Sequence, residues 1–199
     1  MSNWTTQNWL NSLSETLATV TCKTNDMPNS LEGASQRMCE VLVETKAAGG
    51  FVWWIGNGGS ASLCGHFAQD LVNKTATRSM ALSDAGLLTC MANDYGFGEV
   101  YRRPLSTLIG PADTLVAVSS SGQSANILRA VDLASEMGAN VVTFSGMDLN
   151  NPLVLCSAVA TFHLASQIYG IVEIGHSALI HAIIDRLYID SHSELGLGG

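Results

Sequence analysis

From residue 51 onward, the sequence alternates short apolar runs with turns and with longer segments of helical periodicity. Strands that are buried on both faces read as continuous apolar runs, and parallel sheets covered by helices are built from such strands. Strands are predicted at 51–55, 79–83, 113–119, 140–145 and 158–164. Helices are predicted at 60–73, 85–93, 99–108, 124–137 and about 168–190. The alternation predicts an α/β protein of three layers, α-β-α, around a five-stranded parallel sheet that binds ligands at the carboxyl ends of its strands.

The first 48 residues follow a different pattern, because apolar side chains recur there at helical spacing. One amphipathic helix is predicted over 4–20 and a second over 30–48, with Ser30 as its capping residue. We expect a single domain over 1–199 with a helical segment at 1–48. A monomeric three-layer protein does not need all the apolar positions of these helices, so we expect them to be used in oligomerisation.

Charge and length limit the classes of partner. The 199 residues carry nine Lys and Arg against 17 Asp and Glu, which gives a formal net charge of −8. Binding to a nucleic-acid backbone requires clustered basic side chains, so nucleic acid is not an expected partner. An anionic ligand would have to be held by local donors.

The remaining composition favours a cytoplasmic protein. There is no apolar run of about 18 residues to span a membrane, and the first twenty residues lack the features of a signal peptide. The cysteines have no metal-binding or redox spacing, and free thiols indicate a reducing compartment. The five are scattered at Cys22, Cys39, Cys64, Cys90 and Cys156.

A glycine-rich loop lies between the first predicted strand of the sheet and the helix that follows it. Its glycines allow a sharp turn that brings backbone N–H groups to an oxyanion, and the helix N-terminus adds partial positive charge. A tight strand-to-helix turn without a ligand is the simpler alternative. The sequence of the loop is Gly56-Asn57-Gly58-Gly59-Ser60-Ala61.

A serine-rich loop follows another predicted strand in the same way. Several hydroxyls and backbone N–H groups within six residues can satisfy the oxygens of a phosphate monoester without a basic side chain, which suits an acidic protein. The alternative is a polar loop in which Ser124 only caps a helix. The sequence of this loop is Ser119-Ser120-Ser121-Gly122-Gln123-Ser124.

Two sets of histidine and carboxylate residues lie on predicted helices. His66 and Asp70 are four residues apart after the glycine loop, so they share one helix face. Glu173, His176 and His181 lie within nine residues on the last helix. Together they suggest a metal or substrate site, although a histidine on an apolar helix is more often part of the core.

These motifs together resemble the phosphoheptose isomerases of the SIS (sugar isomerase) domain superfamily. The resemblance extends over nearly the whole chain and implies a flavodoxin-like SIS domain and a homotetramer with active sites between subunits. It implies conversion of sedoheptulose 7-phosphate to D-glycero-D-manno-heptose 7-phosphate, through an enediol, in heptose precursor biosynthesis. The residues that carry it are Gly56–Ala61, His66-Phe67-Ala68, Ala92-Asn93-Asp94-Tyr95-Gly96-Phe97 and the serine loop.

The resemblance also implies roles for individual residues. Zinc, one per subunit, is expected between His66, Asp70, Glu173 and His181, with Asp70 as catalytic base and His181 as acid. The residues implied as substrate contacts are Asn57, Gly58, Gly59, Ser60, Asn93, Asp94, Ser119, Ser120, Ser121, Ser124 and Glu173.

Two of these positions depart from the family pattern. Asp70 stands where the family has a glutamate, and Glu173 stands where it has a glutamine. Both remain oxygen ligands, but the base is one methylene shorter, and a displacement of about 1 Å can reduce a rate about a hundredfold.

These departures leave a second reading open. A non-catalytic SIS protein, similar to the replication-initiation regulator, would bind a sugar phosphate or a protein without turnover. A sugar-phosphate sensor is a further alternative, but no basic DNA-binding segment accompanies the domain.

Overall fold

The computed structural model describes residues 4–192, which form a mixed sheet of seven strands between two layers of helices. In space the strands follow the order β2-β1-β7-β6-β5-β3-β4. The strands are β1 Thr21–Thr24, β2 Met27–Asn29, β3 Val52–Gly56, β4 Ser79–Ala81, β5 Thr114–Ser119, β6 Asn140–Gly146 and β7 Ala160–Leu164. The helices are α1 Thr6–Ala18, α2 Leu31–Ala47, α3 Gly59–Thr75, α4 Ala85–Tyr95, α5 Arg102–Leu108, α6 Ala125–Glu136, α7 Pro152–Leu155 and α8 Tyr169–His192, with a 3₁₀ turn at Phe97–Glu99.

The predicted five-stranded parallel sheet is corrected to a seven-stranded mixed sheet. Strands β3 to β7, all at predicted positions, are mutually parallel, whereas β1 pairs antiparallel with both β2 and β7. Strands β1 and β2 lie in the segment between the two predicted N-terminal helices, where no strand is predicted. Only Cys22 is buried there, so it offers no apolar run, and the turn depends on positive φ angles at Asn25 and Asp26.

Two hydrophobic clusters, one on each face of the sheet, account for the three layers. Successive strand residues point to opposite faces, so Trp54 enters one cluster and Trp53 the other. Helices α2, α3 and α8 cover the first face, mainly through Met38, Leu42, Phe67, Leu71, Ile180 and Ile183. Helices α5, α6 and α7 cover the second, mainly through Leu105, Ile127, Val131 and Leu153.

The N-terminal segment is only partly helical, because α1 and α2 flank the β1–β2 hairpin. Helix α2 is buried along one side, whereas α1 packs on α8 and leaves Leu10 about half exposed. No helix within residues 4–192 combines the length and apolarity needed to cross a bilayer. The predicted domain also takes in 1–3 and 193–199, which lie outside the described residues.

One buried carboxylate ties β3 to β5 at the end of the sheet opposite the two predicted loops. The Asp113 carboxylate accepts from the Phe51 N–H at 2.7 Å, the Gly110 N–H at 2.9 Å and the Trp53 indole N–H at 3.2 Å. Since the Asp113 carboxylate is only 8% exposed, its removal leaves buried donors unpaired.

Asp113→Ala should lower the free energy of unfolding by about 2–3 kcal/mol in chemical denaturation. Asp132→Ala, at an exposed position on α6, is the control and should change it by less than about 0.5 kcal/mol.

Candidate active site

The glycine and serine loops lie side by side because they leave adjacent parallel strands. Strands β3 and β5 pair with Gly56 opposite Val118, so both loops emerge at the same edge of the sheet. Gly58 and Gly122 adopt φ angles of +56° and +63°, a region that residues with a β-carbon rarely occupy. The strand pairing and these two glycines therefore place the helix N-termini of α3 and α6 next to each other.

A reciprocal pair of amides joins the glycine loop to the first turn of α6, directly after the serine loop. The Asn57 Nδ2 donates to Asn126 Oδ1 at 3.0 Å, and the Asn126 Nδ2 donates back to Asn57 Oδ1 at 2.8 Å. Asn126 is 2% exposed, so the pair is shielded from competing water. Tyr101 adds a further tie, because its hydroxyl donates to the Gly56 carbonyl.

A cavity of about 170 Å³ opens between the loops. The Ser120 hydroxyl on its wall is buried and has no hydrogen-bond partner among the described residues. Ser124 is the N-cap residue of α6, but its side chain makes no capping hydrogen bond and is free to face a ligand. Unpaired hydroxyls beside helix N-termini fit an oxyanion better than an ordinary turn. The cavity is lined by Asn57, Ser60, Ser119, Ser120, Ser121, Ser124, Tyr169 and Glu173.

Glu173 reaches this cavity from α8. Its carboxylate lies so near Gly59 that a β-carbon at that position would be 2.5 Å from Oε1. The carboxylate therefore stands beside the N-terminus of α3, where the helix dipole favours negative charge.

A buried polar network supports the serine loop from behind. Asn151, 1% exposed, donates to the Gly146 carbonyl at 3.2 Å and is packed so closely on Gly122 that a β-carbon there would overlap it. At Gly146, a β-carbon would meet Val172 at 2.5 Å and the Ser120 carbonyl at 3.0 Å. Strand β6, helix α8 and the serine loop thus converge where only glycine fits.

Two buried histidines belong to the same network. The His163 Nδ1 lies 3.1 Å from the Ser145 hydroxyl, and the His176 Nε2 lies 2.9 Å from the Ser145 carbonyl. A carbonyl oxygen only accepts, so Nε2 of the neutral His176 ring carries the proton. Burial lowers the pKa of His176 to about 4 and also lowers that of His163. His176 therefore belongs to the core and not to a metal site.

A second polar cluster lies farther along the interface of α3 and α8. The Asp70 Oδ2 lies 3.8 Å from His66 Nε2 and 3.8 Å from His181 Nδ1. The three ligand atoms all lie within 4.8 Å of one another. Asp70 is 5% exposed and its Oδ2 accepts no well-oriented hydrogen bond, although the Lys74 ammonium lies 3.1 Å away. We call His66, Asp70 and His181 the His-Asp-His cluster.

The donor set of this cluster fits a divalent metal. Two imidazoles and one carboxylate that leave a further position open are the ligand set of many catalytic zinc sites. The buried Oδ2 without a well-oriented donor is the kind of atom that a cation satisfies. The residues present therefore fit the expected metal.

Not all predicted site residues meet at one point. Glu173 and His181 are eight residues apart on α8, about 12 Å along the axis, and the Glu173 carboxylate lies in the cavity and outside the His-Asp-His cluster. Asn93 and Asp94 are exposed on α4 and do not line the cavity. Gly58 does not line it either, although it shapes the loop.

Sequence reasoning missed several residues that organise the site. Asn126 and Asn151 act on loops distant in sequence, and Tyr169 begins the helix that borders the cavity. The burial of Asn126 is visible only in the structure. Nothing in the sequence singles out Asn126, Asn151 or Lys74.

Comparisons with known proteins identify the family of this chain. The SIS domain family matches residues 9–146. A phosphoheptose isomerase from Paramagnetospirillum magneticum is 32% identical over 164 residues, which cover 76% of this chain and 81% of the relative. The chain belongs to the SIS domain family and, within it, to the phosphoheptose isomerases.

Two further relatives support membership of the SIS domain family. An Escherichia coli phosphoheptose isomerase is 36% identical over 120 residues, which cover 58% of this chain and 62% of that protein. The solved structure of phosphoheptose isomerase GmhA from Neisseria gonorrhoeae superposes with a TM-score of 0.77 at 26% identity, covering 89% of this chain and 92% of that one.

Ser120→Ala separates ligand binding from folding in this SIS domain. Because the hydroxyl is buried without a partner, its removal should leave the melting temperature unchanged or slightly raised. The affinity for inorganic phosphate, measured by calorimetry, should fall about tenfold. Ser135→Ala is the control, since that hydroxyl bonds to the Val131 carbonyl within α6. Equal phosphate affinity in the two variants would contradict the assignment of the cavity.

The buried His176 predicts a loss of stability in mild acid. Its folded pKa of about 4 lies below an unfolded value near 6.5, so the unfolded chain binds more protons between these values. The free energy of unfolding should be highest above about pH 6.5 and fall by roughly 3 kcal/mol towards pH 4. His176→Gln, which keeps a donor but does not titrate, should show a shallower pH dependence in chemical denaturation. If the free energy of unfolding depended on pH equally in the wild type and in His176→Gln, this explanation would be refuted.

Proposed function

We propose that this protein converts sedoheptulose 7-phosphate to D-glycero-D-manno-heptose 7-phosphate in heptose precursor biosynthesis. The observation that carries the proposal is a phosphate-type cavity with an unpaired Ser120 hydroxyl on the same α3–α8 interface as the His-Asp-His cluster. One end of the interface suits a phosphate, and the other suits proton transfer. The phosphoheptose isomerases to which the chain is similar are named for this class of reaction.

The phosphate is held by neutral donors in this proposal. The hydroxyls of Ser119, Ser120, Ser121 and Ser124 and the helix N-termini surround the cavity, and none of its lining residues is basic. Asn57 and Ser60 continue the polar wall towards α3, and Glu173 is suited to accept from a sugar hydroxyl. Phosphate binding at this end fixes the position of the distant reacting carbons.

Proton transfer is assigned to the His-Asp-His cluster. Asp70 removes a proton from C1 of the ketose, and the C–H electrons form the C1–C2 double bond of an enediol while the carbonyl oxygen at C2 gains a proton. Return of a proton to C2, with loss of one from the oxygen on C1, gives the aldose. His181 moves the proton at the oxygens, since its ring lies 3.8 Å from Asp70 Oδ2 and is 40% exposed.

Zinc, one ion per subunit, is the proposed cofactor. His66, Asp70 and His181 would hold it, and bound zinc polarises the carbonyl and stabilises the enediolate. Glu173 remains a predicted fourth ligand, but its carboxylate lies in the cavity, so we propose it first as a substrate contact.

A homotetramer is the proposed assembly. Helix α4 has no buried residue and presents Asn93 and Asp94 to the surface, together with Tyr95, which is 48% exposed. Predicted substrate contacts on such a helix suit a site completed by a neighbouring subunit. Each subunit would be one SIS domain, with the N-terminal segment at the interface.

The cytoplasm is the proposed location of the protein. All five cysteines are free thiols, which suits a reducing compartment.

A non-catalytic sugar-phosphate-binding or regulatory protein is the less favoured alternative. Such a protein has no need of a buried carboxylate between two imidazoles, and the His-Asp-His cluster retains that arrangement. Both the isomerase and the non-catalytic protein would bind the sugar phosphate, but only the isomerase would convert it to product.

Asp70→Asn tests the assignment of the base. The amide cannot accept the C1 proton, so kcat with sedoheptulose 7-phosphate should fall at least about a hundredfold while phosphate affinity stays within about twofold. In D₂O the wild-type protein should incorporate deuterium at C2 of the aldose, detectable by NMR. Asp132→Asn is the matched control and should keep full activity, because that side chain is exposed on α6. A wild-type protein that binds sedoheptulose 7-phosphate at every zinc loading without turnover would support the alternative.

A further inference from the structure

Lys74 holds a position that the proposed mechanism does not use. It lies one helical turn after Asp70 on α3, and its ammonium is 3.1 Å from Asp70 Oδ2. On its other side the ammonium is 2.9 Å from Asp185 Oδ1, which belongs to α8. One positive charge is therefore shared by a carboxylate of the His-Asp-His cluster and a carboxylate outside it.

The oxygen that Lys74 contacts is the one that faces both imidazoles. Asp70 Oδ2 lies 3.8 Å from His66 Nε2 and from His181 Nδ1, and the Asp70 side chain is only 7% exposed. A divalent cation held by the three ligand atoms would bind this same oxygen. Its charge would lie close to the ammonium and repel it.

Asp185 gives Lys74 a second partner. Its side chain is 52% exposed and that of Lys74 is 28% exposed, so this contact lies nearer to solvent than the contact with Asp70. The lysine side chain is a flexible four-carbon chain with three rotatable donors. Lys74 can therefore leave Asp70 and retain a charged partner.

We propose that Lys74 is a resident counter-cation of Asp70 that competes with a divalent metal for this carboxylate and so sets the metal affinity of the His-Asp-His cluster. Asp185 holds the ammonium when the metal binds. This inference rests on the metal site in the proposed function, and it adds a positioning role for a residue outside the ligand set. The metal-free protein is stabilised by Lys74, and loading requires the Lys74–Asp70 contact to loosen.

The test measures zinc affinity on the metal-free full chain by competition with a chromogenic chelator. Lys74→Met removes the competing charge and keeps the length of the side chain, so zinc should bind about tenfold more tightly. Lys46→Met is the matched control. The Lys46 ammonium donates to the Thr75 carbonyl at 2.6 Å, next to Lys74, so this variant loses the same charge without a contact to Asp70. Its zinc affinity should change by less than about twofold.

Asp185→Asn tests whether Asp185 holds the Lys74 ammonium when the metal binds. With its outer partner weakened, Lys74 should stay on Asp70 and zinc should bind about threefold more weakly. In the Lys74→Met background the same substitution should have little effect, because a residue that acts through Lys74 loses its influence when Lys74 is absent. An equal effect in both backgrounds would mean that Asp185 acts through its charge alone and would overturn its assigned role.

These outcomes are separate from those for the isomerase reaction, because the readout is metal affinity and not turnover. Equal zinc affinities in Lys74→Met and Lys46→Met would overturn the proposal even if the protein is an active isomerase. Failure of every variant and of the wild type to bind zinc would overturn it as well. If Lys74→Met does not fold, Lys74→Gln takes its place. The zinc-induced rise in melting temperature, larger without Lys74, provides a second measure of the same competition.

Discussion

The parallel hydrogen bonding of β3 and β5 places the two loops that form the cavity. With Gly56 opposite Val118, the two loops after these strands leave the sheet side by side, and the helices that follow begin at the same edge. The Asn57–Asn126 amide pair then joins the glycine loop to the first turn of α6. The cavity depends on this alignment, because a cavity lined by both loops requires adjacent strands that end at the same level.

The protein handles negative charge in two different ways along one helix interface. In the cavity, hydroxyls and helix N-termini present partial positive charge without a basic side chain, which is consistent with an acidic chain. At the His-Asp-His cluster, full charges and imidazoles surround a buried carboxylate. The cavity suits an anionic group that is bound and released without chemical change. The His-Asp-His cluster suits a carboxylate that gains or loses a proton or a metal ion.

The parts of this fold and site that were predictable are those encoded by local sequence. The five apolar strand segments and the two loops were found because each is contiguous, and His66 and Asp70 because they lie one helical turn apart. The β1–β2 hairpin was missed because pairing with β7, and not an apolar run, holds it in the sheet. Asn126 and Lys74 were missed for a related reason. Their partners lie on other loops or helices, and an isolated asparagine or lysine carries no pattern.

Gly146 has a consequence for the placement of the polar residues on α8. Its missing side chain lets Val172 of α8 come against the strand and the backbone of the serine loop at a single point. A β-carbon at Gly146 would push Val172, and with it α8, away from the strand and the serine loop. Helix α8 carries both Glu173, at the cavity, and His181, in the His-Asp-His cluster. The absence of one side chain on β6 therefore keeps two separate groups of polar residues on α8 close to the sheet.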